Sequence, residues 1–338
     1  MSESGDYEAS NWQSGHDFKS VRASYDNNKS RGYDQVIAAG TKASDLVPGS
    51  ITTKSGHPMC IDADFTGSMG DAPGVFVSKF PYFDHEVRTE YLGKDAEISF
   101  GAFCDTGDEY PLQIQAFGNG KEIKTSVEKL VQAGGGSGPG NICEAHGLPA
   151  LYRLHNTHMP KAIIKPIYII ITDEMPYHLV TRDEAASFAK VSLKSDASVK
   201  KVFKELMEKY SMYLILRPYG NTKLQGDEMD STTQRVYDCW EDILGSERIA
   251  LLPESDRVVD VIFGILAQET DKVDYFEEEL KGRQKPGQVK TVMKSLATIH
   301  ALPSGAPKSV KKLSAGKSVL HTRKDKDDDN KGKTKKLV

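Results

Sequence analysis

Residues 162–172, AIIKPIYIIIT, carry the strongest strand signal in the chain and run directly into Asp173. A nearly unbroken apolar run of that length argues for a strand covered on both faces, at the centre of a parallel sheet. Parallel strands cannot be joined by tight turns. Each needs a crossover, normally a helix, so the rest of the chain must alternate.

It does. MCIDAD (59–64) is a short apolar-leaning run ending in acids, AEISFGAFCD (96–105) alternates, and LQIQAFG (112–118) is a shorter strand. MYLILRPY (212–219) and RIALL (248–252) complete the strand set. Between them lie segments with helical spacing at 75–92, 121–133, 181–191, 198–210, 230–244 and 256–270. In 121–133 the apolar stripe is Ile123, Val127, Leu130 and Val131. NICEAHGLPALYRLHN (141–156) reads as helical, with Pro149 kinking it or opening its second part. The expected fold is α/β and Rossmann-like: a central, mostly parallel sheet with helices on both faces.

The expected organisation has three parts. Residues 1–57 form an N-terminal extension, partly disordered with short helices. Residues 58–281 form the body. Residues 282–338, rich in Lys, Gly, Pro and Ser, form a mostly disordered tail, with 288–299 its best candidate for structure. The chain carries a net charge of −4, unevenly spread. From Ala301 onward eleven basic residues face four acidic ones, so an acidic body bears a basic tail. That tail offers electrostatic contact with nucleic acid or an acidic protein, but no aromatics interleave for base stacking.

Cys60, Cys104, Cys143 and Cys239 show no metal-ligand spacing and are expected as free, buried thiols. The N-terminus lacks a signal-peptide layout, and no segment approaches the roughly 18 apolar residues of a membrane span. A cytoplasmic location is expected.

Ligands on open α/β sheets sit at the C-terminal ends of the strands, where the strand order reverses. That directs attention to the loops after 59–64 and 162–172. The first reads Asp64-Phe65-Thr66-Gly67-Ser68-Met69. An acid and two hydroxyls at alternate positions can aim three oxygens at one small volume. Asp173 supplies a second carboxylate from the neighbouring loop. An all-oxygen set suits a hard cation, Mg²⁺ or Mn²⁺. Since the hydroxyl ligands are neutral, such a cation stays short of negative charge and can accept a carboxylate from a partner protein.

DFTGSM resembles the DxTxS adhesion motif of von Willebrand factor A domains, in the D-x-T-G-S-M form of bacterial and phage proteins related to the A domains that accompany alpha-type kinases. GGGSGPGNICEA is similar to that branch's glycine-rich middle loop, and ITDEMPYH to the ITDAPPH stretch carrying its last acidic ligand. The resemblance covers roughly residues 58–270. It implies a metal-ion-dependent adhesion site formed by Asp64, Thr66, Ser68 and Asp173, with Met69, Glu174 and His178 on a partner-binding rim. The family expects a further hydroxyl, usually Thr, from the middle loop. Here Ser137 or Asn141 stands in its place. Glu144 offers an acid nearby or is an ordinary helix residue; both readings stay open.

Asp62-Ala63-Asp64-Phe65-Thr66 also spells DxDxT, which looks like the first motif of haloacid-dehalogenase-type phosphatases. There Asp62 would be the nucleophile, Asp64 the general acid, Asp173-Glu174 a Mg²⁺ pair, and Lys161 or Lys165 the support. That chemistry gives Gly67-Ser68-Met69 no task. A metal-free scaffold is the plainest alternative. No nucleophile–base pair stands out, so the chain reads as a binding module and not an enzyme.

Overall fold

The computed structural model describes residues 22–26, 35–69, 72–132, 141–221 and 229–300. The candidate ligand Ser137, the outermost N-terminal residues and the basic tail from 301 lie outside the described residues.

Six strands form the main sheet: β1 (Pro58–Asp64), β2 (Glu97–Phe103), β3 (Leu112–Ile114), β4 (Ile167–Thr172), β5 (Ser211–Leu216) and β6 (Ile249–Leu251). Their order is β6-β5-β4-β1-β2-β3. All neighbours pair in parallel except β2 and β3, which are antiparallel. This is the doubly wound arrangement, and strand order reverses between β1 and β4. The chain departs outward from β1 in one direction and from β4 in the other, leaving a crevice above their C-terminal ends.

The period of two in the strands divides the interior into two layers. Met59, Ile61 and Ala63 of β1, Ile167, Ile169 and Ile171 of β4, and Tyr213 and Ile215 of β5 face one core. Helices α1 (Ala72–Glu86), α2 (Lys121–Glu128) and α7 (Val258–Thr270) close it with residues such as Phe83, Val127 and Phe263. Cys60, Tyr168, Ile170, Met212 and Leu214 face the other. Helices α3 (Gly147–His155), α5 (Val199–Lys209) and α6 (Ser231–Leu244) cover that face with Leu151, Phe203 and Trp240, while the short α4 (Arg182–Ser187) flanks it with Ala185. All four cysteines are free and buried.

Several expected boundaries move. The central strand starts at Ile167 and not at 162: Pro166 has no N–H for a ladder, and only its carbonyl is used, by Ser211 N at 2.8 Å. The segment 141–156 is not helical throughout. Cys143–Glu144 forms a short parallel pair with Met175–Pro176, and the helix begins at Gly147, which puts Pro149 in the first turn where it is tolerated.

The body also reaches beyond 58–281. Ile51–Thr52 pairs in parallel with Thr157–His158, and Val47 and Ile51 are buried. At the other end, α7 stops at Asp271 in the left-handed region (φ 57°), and α8 (Val273–Arg283) turns back. A further helix, α9 (Pro286–Ser295), follows, with Leu280, Val292 and Ile299 in the core. It overlaps 288–299, the stretch of the tail singled out in the sequence for structure, and starts two residues earlier with Pro286 in its first turn. Thr298 Oγ1 donates to the Ile249 carbonyl of β6, the last strand of the sheet, at 2.7 Å.

Candidate metal centre

Asp64 ends β1 and Asp173 follows β4, so the two carboxylates flank the crevice where strand order reverses. The loop between Asp64 and Met69 is built by Asp64 itself. Its Oδ1 accepts the Thr66 backbone N–H at 2.9 Å, closing an Asx turn, and the Thr66 hydroxyl at 2.6 Å. Gly67–Met69 then makes one 3₁₀ turn. Thr66 Oγ1 lies 2.9 Å from Ser68 Oγ, and Ser68 Oγ donates to Asp173 Oδ1 at 2.9 Å. Asp64, Thr66, Ser68 and Asp173 thus form one continuous chain of oxygens. Asp64 and Asp173 are sealed, and Ser68 is the half-buried member through which the site meets its surroundings.

The remaining bonds position this chain. Thr172 Oγ1 donates to Asp64 Oδ2 at 3.2 Å and accepts the Glu174 N–H at 3.1 Å. Gly220 N–H donates to Asp173 Oδ2 at 3.0 Å. Arg217, buried just past β5, donates to the Met69 carbonyl and draws the Asp64 loop toward the Asp173 side. His146 Nε2 lies 3.0 Å from Thr172 Oγ1, and burial pushes its imidazole down to about 3, so it is neutral.

The two carboxylates carry excess negative charge that a proton or a cation can balance. Burial, then repulsion from Asp173, pushes Asp64 up to about 7. Burial also raises Asp173, against the lowering effects of Ser68, Gly220 and Arg217. Among the described residues no three carboxylates, imidazoles or thiols gather into a metal cage. A cation held here would therefore rest on two acids and two hydroxyls. That all-oxygen set fits a hard divalent cation.

Other expected ligands and rim residues are placed differently. Asn141 does not join the chain: its Nδ2 donates to the Cys143 carbonyl, the Tyr177 hydroxyl and Asp105 Oδ2 at 2.9, 2.8 and 3.2 Å. Tyr177 also donates to Asp105 Oδ2, at 2.7 Å. Met69 and Glu174 are not rim residues. Met69 is 1% exposed because it packs with Phe65 and Val75, and Glu174 is 6% exposed beneath Trp240, whose Nε1 donates to its carbonyl at 2.9 Å. His178 is half-buried and hydrogen-bonds through its carbonyl to Val199 N, beside the Leu179–Val180 pairing with Ala197–Ser198.

Asp62 is not available as a nucleophile. It is 0% exposed, in the middle of β1. Arg153 clamps it with Nε at 2.9 Å and Nη2 at 2.5 Å, and Tyr168 donates to it at 2.7 Å. Gly101 on β2 makes room for the clamp, since a Cβ there would lie 2.3 Å from Asp62 Oδ1 and 3.0 Å from the Gln113 carbonyl. Lys165 sits at the far end of β4, with Nζ on the Met207 carbonyl at 2.8 Å.

No family model matches the chain, and no curated protein matches it. Among solved structures it is similar to the pilus adhesin SpaC from Lactobacillus rhamnosus GG, at 10% identity and TM-score 0.46 over 68% of this chain and 32% of that one. It is also similar to proximal thread matrix protein 1 from the mussel byssus, at 12% identity and TM-score 0.40 over 65% of this chain and 49% of that one. A form of that matrix protein with a zinc-occupied MIDAS motif matches at 12% identity and TM-score 0.40, over 63% and 45%. The chain thus spans only a third to a half of these proteins. At such scores, the assignment of the α/β architecture rests on this chain's own strand order and register.

Proposed function

We propose that this chain is a von Willebrand A-type binding module, in which Asp64, Thr66, Ser68 and Asp173 hold a divalent cation that engages an acidic side chain of a protein partner. The observation that carries this reading is the unbroken oxygen chain from Asp64 through Thr66 and Ser68 to Asp173 at the strand-order reversal. When bound, the cation supplies a Lewis-acidic coordination position. The protein's part is to hold the hydroxyls in place, to keep direct negative charge low, and to leave the Ser68 side reachable. Burial of Asp62 against Arg153 removes the support for phosphatase chemistry, and the module reads as non-enzymatic. Among the described residues no helix is long and apolar enough to cross a membrane.

Calorimetric titration of Mn²⁺ and Mg²⁺ into wild type, Ser68→Ala and Asp64→Asn tests the site. Binding should be lost or weakened at least tenfold in both variants. A Ser68→Ala chain that binds Mn²⁺ as tightly as wild type sinks the reading. Capture of Asp- or Glu-bearing peptides should depend on the cation and be reversed by a chelator.

A further inference from the structure

Behind the Asp64 site lies a second pair of acids. Glu144 belongs to the short strand Cys143–Glu144, and Glu174 immediately precedes the paired Met175–Pro176. Extending that register by one residue sets Glu174 opposite position 142, with Met175 N donating to the Ile142 carbonyl at 3.0 Å. This pairing brings Glu144 and Glu174 onto adjacent backbone segments, and Glu174 is close enough to act on the Glu144 carboxylate.

Both backbones are fixed. The Glu144 carbonyl accepts His146 N at 2.9 Å and Tyr177 N at 3.3 Å, while Glu174 is held by Thr172 and Trp240. Their carboxylates are not. Glu144 is 3% exposed and Glu174 6%, and each has a buried oxygen, Oε2, with no hydrogen-bond partner. Buried polar atoms are almost always paired, and these two carboxylate oxygens on adjacent segments are not. Asp105 differs, because Tyr177 and Asn141 already satisfy it.

We propose that Glu144 and Glu174 form a second, two-carboxylate site for a hard divalent cation beside the Asp64 site. The charge balance favours it. Glu144 and Glu174 each feel the Asp64 carboxylate, and a cation held between them would offset charge that burial otherwise forces them to neutralise with protons. The groups that act most strongly on Glu144, after its burial, are all acids: Asp64, Glu174, Asp105 and Asp108. Oxygen ligands suit Mg²⁺, Mn²⁺ or Ca²⁺, with water completing the shell.

The inference takes the Asp64 site as a neighbour but is tested separately from it. Mn²⁺ stoichiometry is measured by calorimetry and native mass spectrometry on the full chain, in wild type, Ser68→Ala, Glu144→Gln and Glu174→Gln. Thermal melts confirm that each variant folds, and the Gln replacements keep shape while removing charge. Two Mn²⁺ ions are expected in wild type and one in each variant. One ion lost in Ser68→Ala but kept in both Gln variants overturns the second site and leaves the first. One ion lost in the Gln variants but kept in Ser68→Ala overturns the Asp64 site and leaves the second. No binding in wild type overturns both.

Discussion

Asp62 and Asp64 sit two residues apart on the same face of β1, both fully buried, and they meet opposite surroundings. Asp62 lies mid-strand against Arg153, Tyr168 and the space left by Gly101. Asp64 lies at the strand end, with hydroxyls, a backbone N–H and a second carboxylate. The first acid carries its countercharge within the fold and is finished once the chain folds. The second is paired with another acid and reaches balance only by taking up a proton or a cation from outside. Two identical residue types thus serve stability and binding, according to what the neighbouring elements bring.

The largest effect should come from breaking the finished pair. Arg153→Met leaves Asp62 buried and unpaired and should cost about 3–5 kcal/mol of unfolding free energy, read by urea denaturation. Gly101→Ala should also be destabilising, by forcing β2 away from the Asp62 clamp. A loss below 1 kcal/mol in Arg153→Met would mean that Asp62 is not held by charge.

At the unfinished site, cation binding should stabilise the fold. With Mn²⁺ at a hundred times its dissociation constant, the gain should be about 2.7 kcal/mol, visible as a rise in Tm that chelator reverses. Ser68→Ala should cut that rise to what the Glu144–Glu174 ion alone supplies, and Arg153→Met should keep it in whatever fraction folds.

The chelated protein should respond to pH in a definite direction. Asp64 has an ordinary value of 3.8 and stands at about 7 in the fold. Between those values the folded chain holds a proton that the unfolded chain has released. Its contribution to stability is therefore full below about pH 4 and lost as pH rises through 7. Glu174, pushed up to about 9 by burial and then by Asp64, acts the same way over a wider window. Added Mn²⁺ should flatten the slope above pH 6, and Asp64→Asn should reduce it without cation. A slope of the opposite sign in chelator would break the comparison.

The smallest effect is expected at Arg217. Arg217→Gln gives up the bond to the Met69 carbonyl and should weaken Mn²⁺ affinity by about threefold, with Tm shifted by only a few degrees.

The part of this arrangement that the sequence reveals is local. Asp64, Thr66 and Ser68 form a turn from adjacent residues, and Asp173 follows the most apolar strand, so spacing alone brings out all four. The partner of Asp62 was hidden because Arg153 is 91 residues away and sits in an apolar helix with no motif around it. Glu144 stays open in the sequence between an acid near the site and a helix residue, because the two-residue pairing with Met175–Pro176 has no period to detect. Met69 and Glu174 looked like surface because their covers, α1 and Trp240, are set by packing. Arg217 carried the only usable clue. It directly follows a strand, at the end of the sheet where ligands collect.

The hydroxyl of Thr298 has a consequence for how these molecules behave together. The last strand of an open sheet presents bare carbonyls and amides to any passing chain, an invitation to polymerise. Here a side chain beyond α9 occupies the Ile249 carbonyl, with Ile299 anchored beside it. A chain cut before residue 282 loses this contact and bares that carbonyl on the sheet's open flank, and it would be expected to clump before it failed to bind anything.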